Sequence, residues 1–83
     1  MTTIDEVKSL LAEILQLGDR QGMLNESTAL LGSLPELDSM AVATVVAGIE
    51  DRFDIYVEDD EISAEVFRTV GTLTEFVDRK LTQ

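Results

Sequence analysis

Eighty-three residues, 45% of them hydrophobic, suffice for one small core and argue against a disordered chain. Cys and His are both absent, which excludes disulfides and disfavours a zinc site or a Ser-His or Cys-His nucleophile. Acids number 17 against 6 bases, and the net charge of −11 repels nucleic acid while steering basic protein surfaces toward the chain.

The spacing of Ile4, Val7, Leu10, Leu11, Ile14 and Leu17 predicts a first helix from Thr3 to about Leu17. Thr3 and Glu6 fit a capping box at its start, and Gly18 fits a stop at its end. From Gly18 to Leu37 the pattern breaks at Gly18, Gly22, Asn25, Gly32 and Pro35. Asp19 to Leu24 reads as a turn or a short helix. A structureless connection of this length is uncommon in a compact domain. Leu24, Leu30, Leu31, Leu34 and Leu37 are therefore expected to anchor it across the helices. It either presents the residues that follow or simply crosses between two roughly parallel helices.

A second helix is expected from Ser39 to about Phe53, with Asp38 as N-cap. Val42, Val45, Val46, Ile49 and Phe53 form its apolar stripe, bordered by Met40, Ala43 and Ala47. Gly48 costs about 1 kcal/mol relative to Ala at such a position, and a close helix contact is its expected cause. Ser39 falls in the first turn, where backbone N–H groups lack partners and the dipole is positive. An anion attached to that hydroxyl would be well placed. Taken alone, Asp38-Ser39 is more simply the start of a helix.

Ile55 and Val57 alternate with Tyr56, but no partner strand is visible, so this stretch reads as a loop. The acids Glu58-Asp59-Asp60-Glu61 ahead of Ile62, Val66 and Phe67 suit the start of a short third helix. They lack the alternation and central Gly of an EF-hand loop. Between Glu36 and Glu65 Arg52 alone faces ten acids, so one side of the fold is expected to be strongly negative. The last helix should run from Thr69, its N-cap, to about Leu81, with Val70, Leu73, Phe76, Val77 and Leu81 inward. Arg79 and Lys80 suit its C-terminal dipole.

The expected fold class is all-α: a small four-helix bundle, one domain over residues 1–83, with a long first loop and a short third helix. There is no apolar run for a membrane span and no basic leader followed by an apolar core, so the expected location is cytoplasmic. Ser39 has no base near it in sequence, and no His exists to serve. A carrier or an interaction module is thus favoured over an enzyme.

Leu31-Gly32, then Leu37-Asp38-Ser39-Met40, then Ile49-Glu50-Asp51-Arg52-Phe53 together resemble an acyl carrier protein. Phe67-Arg68-Thr69-Val70-Gly71-Thr72-Leu73 resembles the way that family begins its last helix. The resemblance covers nearly the whole chain. It implies the four-helix acyl-carrier-like bundle and a role without catalysis. It also implies that Ser39 receives phosphopantetheine from coenzyme A, through a separate phosphopantetheinyl transferase working with a divalent metal. The arm's thiol would then hold acyl groups as thioesters for partner enzymes of fatty-acid, polyketide or related specialised metabolism. Those partners would load or use the acyl group through basic docking surfaces. Asp38, Met40, Ala43, Ala47, Glu50 and Asp51 are the expected supporting and docking residues of a monomeric carrier, with no resident metal and no nucleic-acid partner.

Some residues depart from the family pattern. Ala41 and Thr44 stand where many members have acids, and Leu37 stands where housekeeping carriers have a small residue. The link from Leu31-Gly32 to Asp38-Ser39 is also long. These features resemble specialised carriers, including those beside exosortase and exopolysaccharide systems. Peptide-synthetase carriers usually have Gly before the serine, so Asp38 argues against amino-acid cargo, although a D-alanyl carrier stays open. So does an unmodified acidic interaction module. Whether an acyl chain folds into the core is a question that the small residues Ala43, Ala47 and Gly48 raise and the sequence leaves open.

Overall fold

The computed structural model describes residues 2–16, 18–30 and 38–82, apart from the side chains of Asp19, Arg20, Gln21, Ser39 and Asp59. Helix α1 spans Thr3–Ile14. Its capping box lies one residue earlier than Thr3 and Glu6 suggested. Thr2 Oγ1 accepts the Asp5 N–H at 3.3 Å, and the Asp5 carboxylate accepts the Thr2 N–H at 3.5 Å. The helix also ends before the expected Leu17. Gln16 takes the left-handed conformation (φ 54°), which breaks the helical repeat ahead of Gly18. A 3-10 segment, Gly18–Met23, follows.

The first connection is anchored as expected by Leu24 and Leu30, both buried. The expected anchors Leu31, Leu34 and Leu37 lie outside the described residues, as do Gly32 and Pro35. A pairing without periodic trace in the sequence ties the loop down further. The Leu30 N–H donates to Arg68 O at 2.9 Å, the Val70 N–H to Thr28 O at 3.0 Å, and the Gly71 N–H to Glu26 O at 2.9 Å. Gly71 is required by that approach, because a Cβ there would lie 2.7 Å from Glu26 O.

Helix α2 spans Ser39–Phe53, as the pattern predicts. Val45 and Ile49 are buried against the core. Gly48 admits α1: a Cβ on it would lie 2.9 Å from Ile14 Cδ1 and 3.0 Å from Leu10 Cδ1. One turn on, Arg52 reaches across to α1, donating to Glu6 O at 3.3 Å and to Glu13 Oε2 at 3.0 Å. The helix stops where Asp54 turns left-handed (φ 53°).

The expected short third α-helix is instead one 3-10 turn, Asp59–Glu61, followed by further turns. The hydrogen bonds of this turn and of those after it span three residues: Glu61 N–H to Glu58 O, then Val66 N–H to Ser63 O and Arg68 N–H to Glu65 O. The described residues thus contain three α-helices, not four. A helix of a few residues carries the nucleation cost without enough propagation to offset it. Here Glu61 closes the turn early, accepting the Glu58 N–H and holding Lys80 Nζ, each at 2.9 Å. Val66 and Phe67 are still buried, so the turns deliver the same apolar residues to the core.

Helix α3 spans Val70–Leu81, capped by Thr69. Val70, Leu73, Phe76 and Val77 point inward, whereas Leu81, expected on that face, is exposed as the helix ends. α1 packs against both α2 and α3.

A candidate attachment site at the start of the second helix

The site begins with local chemistry. Asp38 is in the extended region, and its Oδ1 accepts the Ala41 N–H at 2.8 Å while its carbonyl accepts the Val42 N–H at 2.9 Å. This cap makes Ser39 the first residue of α2. At that position backbone N–H groups have no intrahelical acceptor, and the helix dipole favours an anion. Beyond the Asp38 cap, which takes up the Ala41 N–H, the first turn of α2 carries no acid. The residues present therefore fit a phosphodiester on the serine oxygen.

Met40 is 79% exposed, which decides between core and surface for that side chain. Ala43, Thr44 and Ala47 continue the exposed strip along α2, and no charged residue occurs from Ser39 to Ile49. The Thr44 hydroxyl bonds back to Met40 O at 3.1 Å, so it lies against its own helix. Beside this strip an apolar groove of about 480 Å³ runs between α2 and the Val57–Ile62 segment. Val42, Ala43, Val46 and Ala47 form one wall, and Val57 and Ile62 the other. Gly48 takes no part, because α1 side chains occupy the space beside it.

Glu50 and Asp51 lie at the far end of α2. Asp51 is exposed. Glu50 is half-buried at the groove, and its Oε2 accepts the Val57 N–H at 2.9 Å, so this carboxylate also positions the opposite wall. Val42, Val46, Val57 and Ile62 were not singled out as site residues from the sequence. The signal available was an apolar stripe on α2 wider than contact with one helix needs.

Two carboxyls are held below their ordinary values. The Glu58 N–H and then Lys80 act on Glu61, and the Thr2 hydroxyl and N–H act on Asp5. Both belong to structural turns away from Ser39. Among the described residues, no group of three or more acidic side chains is placed to hold a metal ion. No described helix is long and apolar enough to cross a membrane.

Residues 5–77 match the family described as "Phosphopantetheine attachment site". The chain is 31% identical over 81 residues to the acyl carrier protein of Kocuria rhizophila, covering 94% of this chain and 95% of that protein. The chain belongs to the acyl carrier protein family. Similarity to the acyl carrier protein of Desulforapulum autotrophicum is 32% over 82 residues, covering 96% and 99% of the two chains. The solution NMR structure of a holo acyl carrier protein from Nitrosomonas europaea has a TM-score of 0.92 and 47% identity over the full length of both chains. The chain is accordingly a carrier and not a catalyst, and phosphopantetheine is its covalent prosthetic group.

Proposed function

We propose that the whole chain, residues 1–83, acts as one cytoplasmic, monomeric carrier domain whose phosphopantetheine is attached at Ser39. It presents acyl groups to enzymes of fatty-acid, polyketide or related specialised acyl metabolism. The observation that carries this is Ser39 as first residue of α2, capped by Asp38 within the matched segment. The arm supplies a terminal thiol that can hold cargo as a thioester, which this Cys-free chain lacks. The chain's own part is placement. Asp38 fixes the helix start and contributes to docking of the modifying transferase. The N-terminus of α2 favours the phosphodiester anion. The tether raises the effective concentration of cargo at any docked enzyme.

The groove along α2 gives an alkyl cargo apolar surface to cover. Met40, Ala43 and Ala47 supply a neutral contact for partners, while Glu50 and Asp51 attract basic surfaces. The uncharged first turns of α2 favour a specialised carrier over a housekeeping one, in the manner of those beside exosortase and exopolysaccharide systems. D-alanyl cargo is the second reading; Asp38 disfavours the wider class of amino-acid cargo. An unmodified interaction module does not fit a chain with a phosphopantetheine attachment site.

The test is intact mass. Incubation with coenzyme A, magnesium and a broad-specificity phosphopantetheinyl transferase should add one phosphopantetheine to the chain and none to Ser39→Ala. An equal gain in Ser39→Ala, or no gain in the unmutated chain, overturns the assignment.

A further inference from the structure

Behind the apolar groove the fold leaves a second hollow. It measures about 570 Å³ and lies between α3 and the turns after α2, with Glu61, Ser63, Val66, Phe76 and Lys80 in its lining. The segment from Glu58 to Glu65 therefore has the groove on its α2 side and open space on its α3 side. Both ends of the segment are pinned. Before it, the Val57 N–H donates to Glu50 at 2.9 Å. After it, Val66 O accepts the Thr72 hydroxyl at 3.0 Å, Arg68 O accepts the Leu30 N–H at 2.9 Å, and Val66 and Phe67 are buried.

Between these pins Ser63, Ala64 and Glu65 are exposed. Among the described residues, one side chain ties the middle of the segment to a helix. Lys80 Nζ donates to both Glu61 oxygens, each at 2.9 Å. The helix end of this tie is firm, because Phe76 and Val77 are buried and α3 packs against α1. The Lys80 side chain is only 12% exposed, so salt screens the pair less than it would a surface pair. Ile62, the residue after Glu61, belongs to the groove wall.

We propose that the Lys80–Glu61 pair sets the width of the groove, and with it the length of alkyl cargo that the groove shelters. Lys80 is then a positioning residue: it acts on the cargo through Glu61 and Ile62. With the pair made, the wall stands where Glu61 is held. With the pair broken, the wall can retreat into the hollow behind it. The pair is worth about as much as sheltering one methylene group, so cargo and tie compete on similar terms. The inference rests on the carrier reading in taking the occupant of the groove to be an alkyl chain carried by the arm.

The first test needs no arm. Amide hydrogen exchange on the unmodified chain should quicken about two- to fivefold at Glu58, Glu61 and Val66 in Lys80→Ala, and stay unchanged in α1. Exchange that is unchanged at those residues, or quickened equally throughout, overturns the proposal. The second test loads straight-chain acyl groups of increasing length from acyl-coenzyme A with the same transferase, and follows hydroxylamine cleavage. In the unmutated chain each added carbon should slow cleavage by up to about fourfold until the groove is filled. In Lys80→Ala that limit should lie about one or two carbons further on, whereas Lys80→Arg can still pair with Glu61 and should keep the original limit. A limit that does not move, or that moves equally in Lys80→Arg, overturns the proposal. Should Lys80→Ala not fold, Glu61→Gln carries the same expectations, since its amide oxygen can still accept the Glu58 N–H. Cleavage independent of chain length in the unmutated chain also overturns the proposal and leaves the carrier reading standing. Failure of that reading shows separately, as no mass gain at Ser39.

Discussion

The inner and outer faces of α2 are built to different rules. Inside, Val45 and Ile49 are buried in the core, Arg52 bonds to Glu13 on α1, and Gly48 lacks even a methyl group because α1 side chains occupy its place. Outside, Met40, Ala43 and Ala47 are exposed, small or flexible, and uncharged, beside a groove. Residues 47 and 48 are adjacent in sequence and belong to opposite regimes. One helix therefore carries the fold on one side and leaves the other free to be shaped by cargo and partners.

The largest effect should come from forcing that contrast. Gly48→Leu overpacks the contact with Leu10 and Ile14 and should destabilise by about 1–3 kcal/mol in urea unfolding. Ala47→Leu should stay within about 0.5 kcal/mol. It should instead narrow the groove and speed hydroxylamine cleavage of a long-chain acyl thioester. Equal destabilisation by both substitutions would break the comparison.

Next comes the cap, where both faces begin. Asp38→Ala removes the acceptor of the Ala41 N–H and should cost about 1 kcal/mol, whereas Asp51→Ala on the exposed far end should change stability little. A loss at Asp51 as large as that at Asp38 would place the stabilising interaction at the wrong end of α2.

Charge placed on the outer face should alter docking without altering the fold. Ala43→Glu should raise the association rate with basic partner enzymes by a few-fold at low salt and steepen its salt dependence. Stopped-flow rates at two ionic strengths check this, with an unchanged melting temperature as control.

The smallest effect concerns the wall opposite α2. The folded-state pKa of Glu61 is lowered, so its contribution is fully present above the unfolded carboxyl value, 4.5, and is lost as pH falls through the lower folded value. Glu61→Gln should therefore melt earlier than the unmutated chain at neutral pH, and the gap should close on acidification below that range. A gap that persists or widens in acid would show that Glu61 acts through packing and not through its charge.

Much of the frame was legible because its causes are local. Helical periodicity marked the body of all three α-helices, and Asp38 and Thr69 announced their cap roles by residue type. Gly48 betrayed a close contact because a glycine inside a helix is otherwise costly. Ser39 drew notice for the same kind of reason, as a hydroxyl placed where a helix starts. Each of these inferences needs only neighbours within a few residues.

What required the tertiary structure depends on residues distant in the chain. The left-handed Gln16 ended α1 early, although nothing in its own chemistry demanded it. The pairing of Thr28 and Leu30 with Arg68 and Val70 leaves no periodic trace, yet it explains Gly71. Lys80 on α3 holds Glu61, the last residue of the single 3-10 turn that the acidic run forms. The groove has walls from two segments, and only their approach, fixed by Glu50 and Val57, makes it one feature. Sequence alone determined the bodies of the three α-helices, the caps at Asp38 and Thr69 and the candidate serine, because short-range backbone and side-chain preferences suffice for them. Tertiary structure alone decided which outward residues share a surface, because that depends on how separate segments pack.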